Sequence, residues 1–472
     1  MTELHPLDSG FIELEDSDRH ISLGIGAVAI ISGAAPKRAE FTEAITERLA
    51  HNTRLRQRIH RAPFDLIAPV WEDDPNFDVA RHIRWTALPE PGDEKTLFEL
   101  IATELAERLD RDHPLWQCTV VEHLADDRWA LIVRAHHSLV DGVSGISLFE
   151  GFCDPPAGET LARPPTRDHE PSSATGLFEL AVKTLRMPID APRFVVGTLR
   201  SLAPIAMAAI GPAAESSLNG PIGQQRRYVA VRTSFAEVRD IGEAFGVTVN
   251  DTVLAAVASA YRALLSDRGE ALTGDKLRIL VPVSMRPTDA KYVLDNRVSV
   301  LLPHLPIDIA DPVERLGTIH DRMTEHKAKG GAQAENSILA VAARLPFAPI
   351  AWTVRLAAHF PQRGVGALAT NVPGPRQPLT MQGSAVLELL PCIPIAMRLR
   401  TAIAILSYGD NLAFGITGDY DSAPDIDVIA DGIRAGIAEL VAHTAICRLP
   451  RQSDADAPTQ DAHHGRGTPA SR

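Results

Sequence analysis

Residues 129–135, Trp-Ala-Leu-Ile-Val-Arg-Ala, form a nearly continuous apolar run that ends in two histidines, and no other stretch constrains the fold as much. Preceded by the acidic turn Asp126-Asp127, the run predicts an interior strand. A second apolar strand is predicted over 115–124, and only Ala125-Asp126-Asp127 separate the two, so they are expected to pair as an antiparallel hairpin. Side chains alternate along a strand. His136 therefore falls on the face of Ala130, Ile132 and Arg134, and His137 on the face of Leu131, Val133 and Ala135, which gives the two histidines different surroundings. Past them Asp141-Gly142 supplies a turn, Ser144 can cap, and Ile146, Leu148, Phe149 and Phe152 mark the buried side of a short helix.

A chain of 472 residues exceeds one ordinary core, and two domains of mixed α/β (α+β) class are expected. In the first half, strands are predicted over 23–31, 67–71 and 81–87, and helices over 36–50 and 94–109. Between 154 and 219 the composition shifts, with Pro155, Pro156, Pro164, Pro165 and Pro171 marking an irregular crossover. Within it, 176–186 and 193–210 carry apolar stripes beside Lys183, Arg186, Arg193 and Arg200; helices there would pack on the protein's own core or lie on a lipid surface. The second half repeats the alternation. Strands are predicted over 228–233, 277–283, 297–305, 366–372, 385–393, 402–407 and 412–417, and helices over 234–245, 250–265, 312–329, 337–359 and 424–443. The expected units are thus 1–153, a crossover 154–219, a second domain 220–448 and a polar tail 449–472, in which His463-His464 reads as tail rather than ligand.

Charge and cysteine content narrow the function classes. With 47 Lys plus Arg against 60 Asp plus Glu, the net charge is -13 and no basic block stands out, so nucleic acid is not an expected partner. Cys118, Cys153, Cys392 and Cys447 are scattered without a C-x-x-C pair, which argues against zinc or a disulfide framework and for a reducing, cytoplasmic setting. The acidic first twenty residues lack the apolar core of a secretion signal, and no apolar run approaches the roughly 18 to 20 residues of a membrane span.

A histidine at a strand end is suited to proton transfer near neutral pH, and His137, on the apolar face, is the candidate; the competing reading is a satisfied core histidine. Asp141 can fix the turn or orient the imidazole, and its short reach favours the structural role. Adjacent histidines on opposite faces cannot chelate one ion, and H-E-x-x-H is absent, so no metal is expected. Gly142-Val143-Ser144-Gly145-Ile146 lacks the last glycine of a G-x-S-x-G elbow. The glycine runs at 24–29 and 364–369 mimic a dinucleotide fingerprint but open strands instead of joining a strand to a helix. Thr248-Val249-Asn250-Asp251 precedes a helix, where it is either an N-cap or an amide placed to stabilise an oxyanion.

His136-His137-Ser138-Leu139-Val140-Asp141-Gly142 resembles the HHxxxDG motif of the bacterial wax ester synthase/acyl-CoA:diacylglycerol acyltransferase (WS/DGAT) family. The motif alone also admits condensation domains and other members of the chloramphenicol acetyltransferase-like superfamily. Collinear runs narrow it: Pro6-Leu7-Asp8-Ser9-Gly10-Phe11, Pro114-Leu115-Trp116, Leu218-Asn219-Gly220-Pro221-Ile222-Gly223, Val249-Asn250-Asp251, Val281-Pro282-Val283-Ser284-Met285-Arg286, Asn296-Arg297-Val298 and Asn371-Val372-Pro373-Gly374-Pro375. The resemblance implies two chloramphenicol acetyltransferase-like domains, mixed sheets with flanking helices, and a reaction channel between them. It implies long-chain acyl-CoA as co-substrate, no further cofactor, and diacylglycerol or a long-chain alcohol as acceptor, the protein being cytoplasmic and at most peripheral to the membrane or lipid droplets. It makes His137 the general base, His136 its supporting neighbour, Asp141 and Gly142 the structural end of the motif, and Asn250 an active-site polar group. The alternative within the same fold is a catalytically silent protein that binds lipid surfaces. One departure bears on activity: where the family tends to carry a Gly-Leu-Asn run before the strand leading to Ser407, this chain has Arg398-Leu399-Arg400, and cations in a channel wall would alter acceptor preference.

Overall fold

The computed structural model describes residues 2–50, 52–61, 68–155, 216–284, 298–333 and 364–447. The predicted helix at 337–359, the segments 176–186 and 193–210, and the tail lie outside them. The first half runs β1 (Thr2–Glu3), α1 (Pro6–Ser17), β2 (Gly24–Ser32), α2 (Arg38–Leu49), β3 (Gln57–His60), β4 (Val70–Asp73), β5 (Ile83–Ala87), α3 (Glu94–Ala106), β6 (Trp116–Leu124), β7 (Arg128–His136) and α4 (Gly142–Glu150). The second half runs β8 (Arg226–Ser234), α5 (Phe235–Phe245), α6 (Val249–Asp267), β9 (Ile279–Ser284), β10 (Val298–Leu301), α7 (Pro312–Gln333), β11 (Ala367–Val372), β12 (Thr380–Met381), β13 (Ser384–Cys392), β14 (Thr401–Tyr408), β15 (Asn411–Asp419) and α8 (Ile426–Cys447).

Two six-stranded mixed sheets form the two lobes, in the orders β12-β13-β2-β7-β6-β5 and β10-β9-β11-β14-β15-β8, with a small sheet β1-β4-β3 beside the first. The predicted hairpin is present: β6 and β7 pair antiparallel from Trp116↔Ala135 onward. Its link places Asp126 and Asp127 at φ of 63° and 51°, a left-handed conformation that a short polar side chain tolerates. Strand β7 is interior, with β2 on its other edge. Its faces separate as alternation requires. Trp129, Leu131, Val133 and Ala135 join a core with Phe41 and Ile45 of α2, whereas Ala130 and Ile132 join another with Leu97 and Ile101 of α3.

The sheets do not follow the expected partition at residue 220. Strands β12 and β13 lie in the second half of the chain, yet β13 pairs with β2 and completes the first sheet. Alternating apolar residues announce a strand there but carry no information about which sheet supplies its partner. The crossing stitches the lobes together, and Tyr228 and Ala230 of β8 share the α3 core. In the second lobe α6 is buried almost all round, between the sheet and helices α5, α7 and α8. Among the described residues no single helix is long and apolar enough to cross a membrane.

Sequence periodicity did not announce α1. Pro6 occupies its first turn, as the fixed φ of proline allows, but acidic residues interrupt its apolar pattern. Glu13 and Glu15 are buried, and Arg61 and Arg111, distant in sequence, neutralise them.

Candidate active site

His137 is the first residue past β7, and its backbone N–H donates to the Leu23 carbonyl at 2.9 Å, which holds the strand exit against the start of β2. The chain then turns on the His136 carbonyl, which accepts from Leu139 at 2.8 Å. Asp141 caps the helix that follows. Its Oδ1 accepts from the Ser144 N–H at 2.8 Å, and the Asp141 N–H donates to Ser144 Oγ at 2.9 Å, forming a closed capping box. Asp141 is 1% exposed, and its role here is to end the turn and start α4. Gly142 is the point where the lobes approach: a Cβ built on it would sit 2.7 Å from Val372 Cγ2 at the end of β11.

His137 opens into a cavity of about 350 Å³ between the two sheets. One wall comes from the first lobe, with Val133 and Ala135 of β7, Leu7, Phe11 and Leu14 of α1, and Ile146 and Phe149 of α4. The other comes from the second lobe, with Leu280 and Pro282 of β9, Leu368, Thr370, Asn371 and Val372 of β11, and Ala404 of β14. The lining is overwhelmingly apolar. Phe11 stacks on the His137 ring with centroids 4.1 Å apart and planes 18° from parallel, worth about 0.5–1.5 kcal/mol for such a pair. Burial pushes the imidazole down to about 4, His136 adds to the fall, and Asp141 with the backbone carbonyls of His137 and Val140 offsets part of it. At neutral pH the ring is therefore uncharged and able to accept a proton.

His136 faces elsewhere, as strand parity predicts. Its Nδ1 accepts from the Ser138 N–H at 3.0 Å and lies 2.8 Å from Ser138 Oγ, which leaves the ring proton on Nε2. That nitrogen points toward Glu15 Oε1, 3.6 Å away. The two histidines thus occupy separate environments on opposite sides of one strand.

The remaining expected residues fall in different places. Asn250 is the second residue of α6 and is not among the residues lining the cavity. Its neighbours Thr248 and Asp251 form a capping box, and Asp251 Oδ2 also binds His320 Nδ1 at 2.9 Å, tying α6 to α7. Leu399 and Met397 line the cavity and Arg398 and Arg400 do not; the four residues form a turn ahead of β14, with Met397 and Arg398 at φ of 53° and 60°. Arg400 Nη1 instead donates to the Ser217 carbonyl at 2.9 Å. The cavity wall before Ser407 is consequently apolar despite the two arginines. Sequence reasoning assigned no role to Phe11, Glu15 or Thr370; the i, i+4 spacing of Phe11 and Glu15 was the available signal, once α1 is seen to be a helix.

The arrangement of two mixed sheets is a fold shared with condensation domains. The first condensation domain of the CDA synthetase superposes with a TM-score of 0.56 at 16% identity, covering 94% of this chain and 97% of that one. A finer match is the wax ester synthase/diacylglycerol acyltransferase from Marinobacter aquaeolei VT8, with a TM-score of 0.70 and 28% identity over 94% of this chain and all of that one. Residues 4–253 match the wax ester synthase/diacylglycerol acyltransferase catalytic domain, and 294–441 match the WS/DGAT C-terminal domain. The "probable diacyglycerol O-acyltransferase tgs1" of Mycobacterium tuberculosis is 45% identical, over 96% of this chain and 99% of its own length. The chain belongs to the WS/DGAT family and is an acyltransferase.

Proposed function

We propose that the protein transfers a long-chain acyl group from acyl-CoA to a lipid alcohol, making triacylglycerol from diacylglycerol or wax ester from a fatty alcohol, with His137 as general base. The observation that carries this reading is the uncharged His137 ring opening into an apolar cavity between the lobes. The imidazole takes the proton of the acceptor hydroxyl as the oxygen attacks the thioester carbonyl. A carbonyl oxygen gaining negative charge stabilises the imidazolium that forms beside it, so a base weakened by burial strengthens as the reaction proceeds. When the C–S bond breaks, the imidazolium returns the proton to the departing sulfur, and the ester and CoA leave with no acyl-enzyme formed. The cavity walls orient both chains, and acyl-CoA is the only co-substrate needed.

His136 supports the strand exit, and Asp141 and Gly142 hold the turn that aims His137. Asn250, at the start of α6, has no step in this scheme. Met397, 44% exposed and also part of the lining, supports entry of an apolar acceptor from a lipid surface on the cytoplasmic face. The test is CoA release by purified protein supplied with a long-chain acyl-CoA and either diacylglycerol or hexadecanol. His137→Ala is expected to lose about 10²- to 10⁴-fold, the usual share of a general base. A variant that turns over as fast as wild type would overturn the mechanism.

A further inference from the structure

Helix α1 addresses both histidines from one side. Phe11 stacks on His137, and Glu15, one turn later on the same face, meets His136. Glu15 is 1% exposed and uses its two oxygens separately. Oε1 accepts from the Leu23 N–H at 2.9 Å and lies 3.6 Å from His136 Nε2, while Oε2 pairs with Arg111. The Leu23 carbonyl in turn accepts from the His137 N–H. A single carboxylate therefore faces one histidine directly and reaches the backbone of the other through one intervening residue. His136 Nε2 is buried and, among the described residues, has no hydrogen-bond partner, so Glu15 is the group that faces its proton.

We propose that Glu15 is a positioning residue for the acyl transfer: it holds His136 in the Nε2–H tautomer and, through Leu23, fixes the backbone from which His137 projects. The proposal rests on the reading of His137 as the base. Burial alone would raise the Glu15 carboxyl, but His136 and Arg111 outweigh it and hold the group down at about 2, so the carboxylate keeps its charge across the working pH range. Ser138 supplies the complementary half, since its N–H occupies Nδ1 and leaves only Nε2 to carry the proton. A glutamine at this position replaces one of the two oxygens by an NH2 donor, so either Leu23 or Arg111, which now use opposite oxygens, would face a donor.

The experiment compares wild type, Glu15→Gln, Glu15→Asp and His137→Ala in the CoA-release assay, alongside ¹⁵N NMR of histidine-labelled protein with His136 assigned by its loss in His136→Gln. Glu15→Gln is expected to lower kcat about 10- to 100-fold with the acyl-CoA KM within about twofold, the signature of a misplaced reacting group and not of lost binding. Glu15→Asp, which keeps the charge with a shorter reach, is expected to fall between Glu15→Gln and wild type. In wild-type protein, His136 is expected to show an unprotonated Nδ1 and a protonated Nε2. Wild-type kcat in a folded Glu15→Gln overturns the proposal, as does a His136 proton on Nδ1. The NMR measurement needs no variant at position 15, so a His136 proton on Nδ1 overturns the proposal even if Glu15→Gln does not fold. Wild-type turnover by His137→Ala would overturn the general-base reading instead, an outcome separate from either result for Glu15.

Discussion

The two lobes use an inner strand in opposite ways where it reaches the shared cavity. In the first, β7 ends in side chains that do different things on its two sides, His137 toward the cavity and His136 toward Glu15, and Asp141 then starts α4. In the second, β11 ends in Asn371-Val372-Pro373-Gly374-Pro375, where shape dominates. A Cβ at Gly374 would lie 1.8 Å from the Ser407 carbonyl oxygen, and the Gly374 N–H donates to Ser407 Oγ at 3.1 Å. Proline on both sides of that glycine removes backbone donors and narrows the accessible backbone angles. One exit carries a titratable group, and the other is a tightly packed backbone wall that Val372 extends toward Gly142. In the proposed mechanism, two sheets of the same strand count therefore divide the labour of one site, the proton transfer on one side and the substrate's confinement on the other.

The contact between the exits is the most sensitive point of this division. Gly142→Ala forces Val372 to move and is expected to cost about 1–3 kcal/mol in stability, with activity falling at least about tenfold. Adding Val372→Ala should return most of both losses. Strict additivity in that double-mutant cycle, measured by thermal melts and turnover, would show that the lobes do not meet there. Asp141→Ala removes the capping box of α4 and should lower stability by about 1–2 kcal/mol, whereas Asp141→Asn, which still presents an acceptor, should lose less; denaturant midpoints distinguish them. A pH profile tests the first exit alone. A base with its pKa depressed to about 4 is in its accepting form throughout pH 6 to 8, so kcat/KM should show no fall on approaching 6.5 from above. A limb near 6.5 would mean a solvated histidine in that role. The smallest effect belongs to Arg398→Ala and Arg400→Ala, which should change the ratio of diacylglycerol to fatty-alcohol turnover by less than about twofold, because neither side chain lines the cavity.

Much of the first exit was legible in the sequence because strand parity is a local property. The apolar run, the two-aspartate link and the position of the histidines determine which ring faces which core, and the structure has them so. Cap chemistry was local too, and Thr248 was readable in a helix start, but Ser144, the expected cap of α4, is its N3 residue and Asp141, expected only to turn the chain, is the cap. Long-range pairing was not. That β13 joins the first sheet depends on which edge of β2 remains open, a matter no window of residues records. Helix α1 was hidden for a related reason: Glu13 and Glu15 look solvent-facing until Arg61 and Arg111 arrive from elsewhere in the chain. The resemblance grouped Asn250 with the histidines, but motif membership does not give a residue's position relative to a cavity built from other strands.

The central claim is that the His137 imidazole itself moves the proton. Replacing His137 by glycine leaves a ring-sized space between Phe11 and the turn, into which free imidazole can be supplied. The account predicts that His137→Gly releases CoA at a small fraction of the wild-type rate and that added imidazole restores turnover in proportion to its unprotonated form. Wild-type turnover by His137→Gly without imidazole would contradict it.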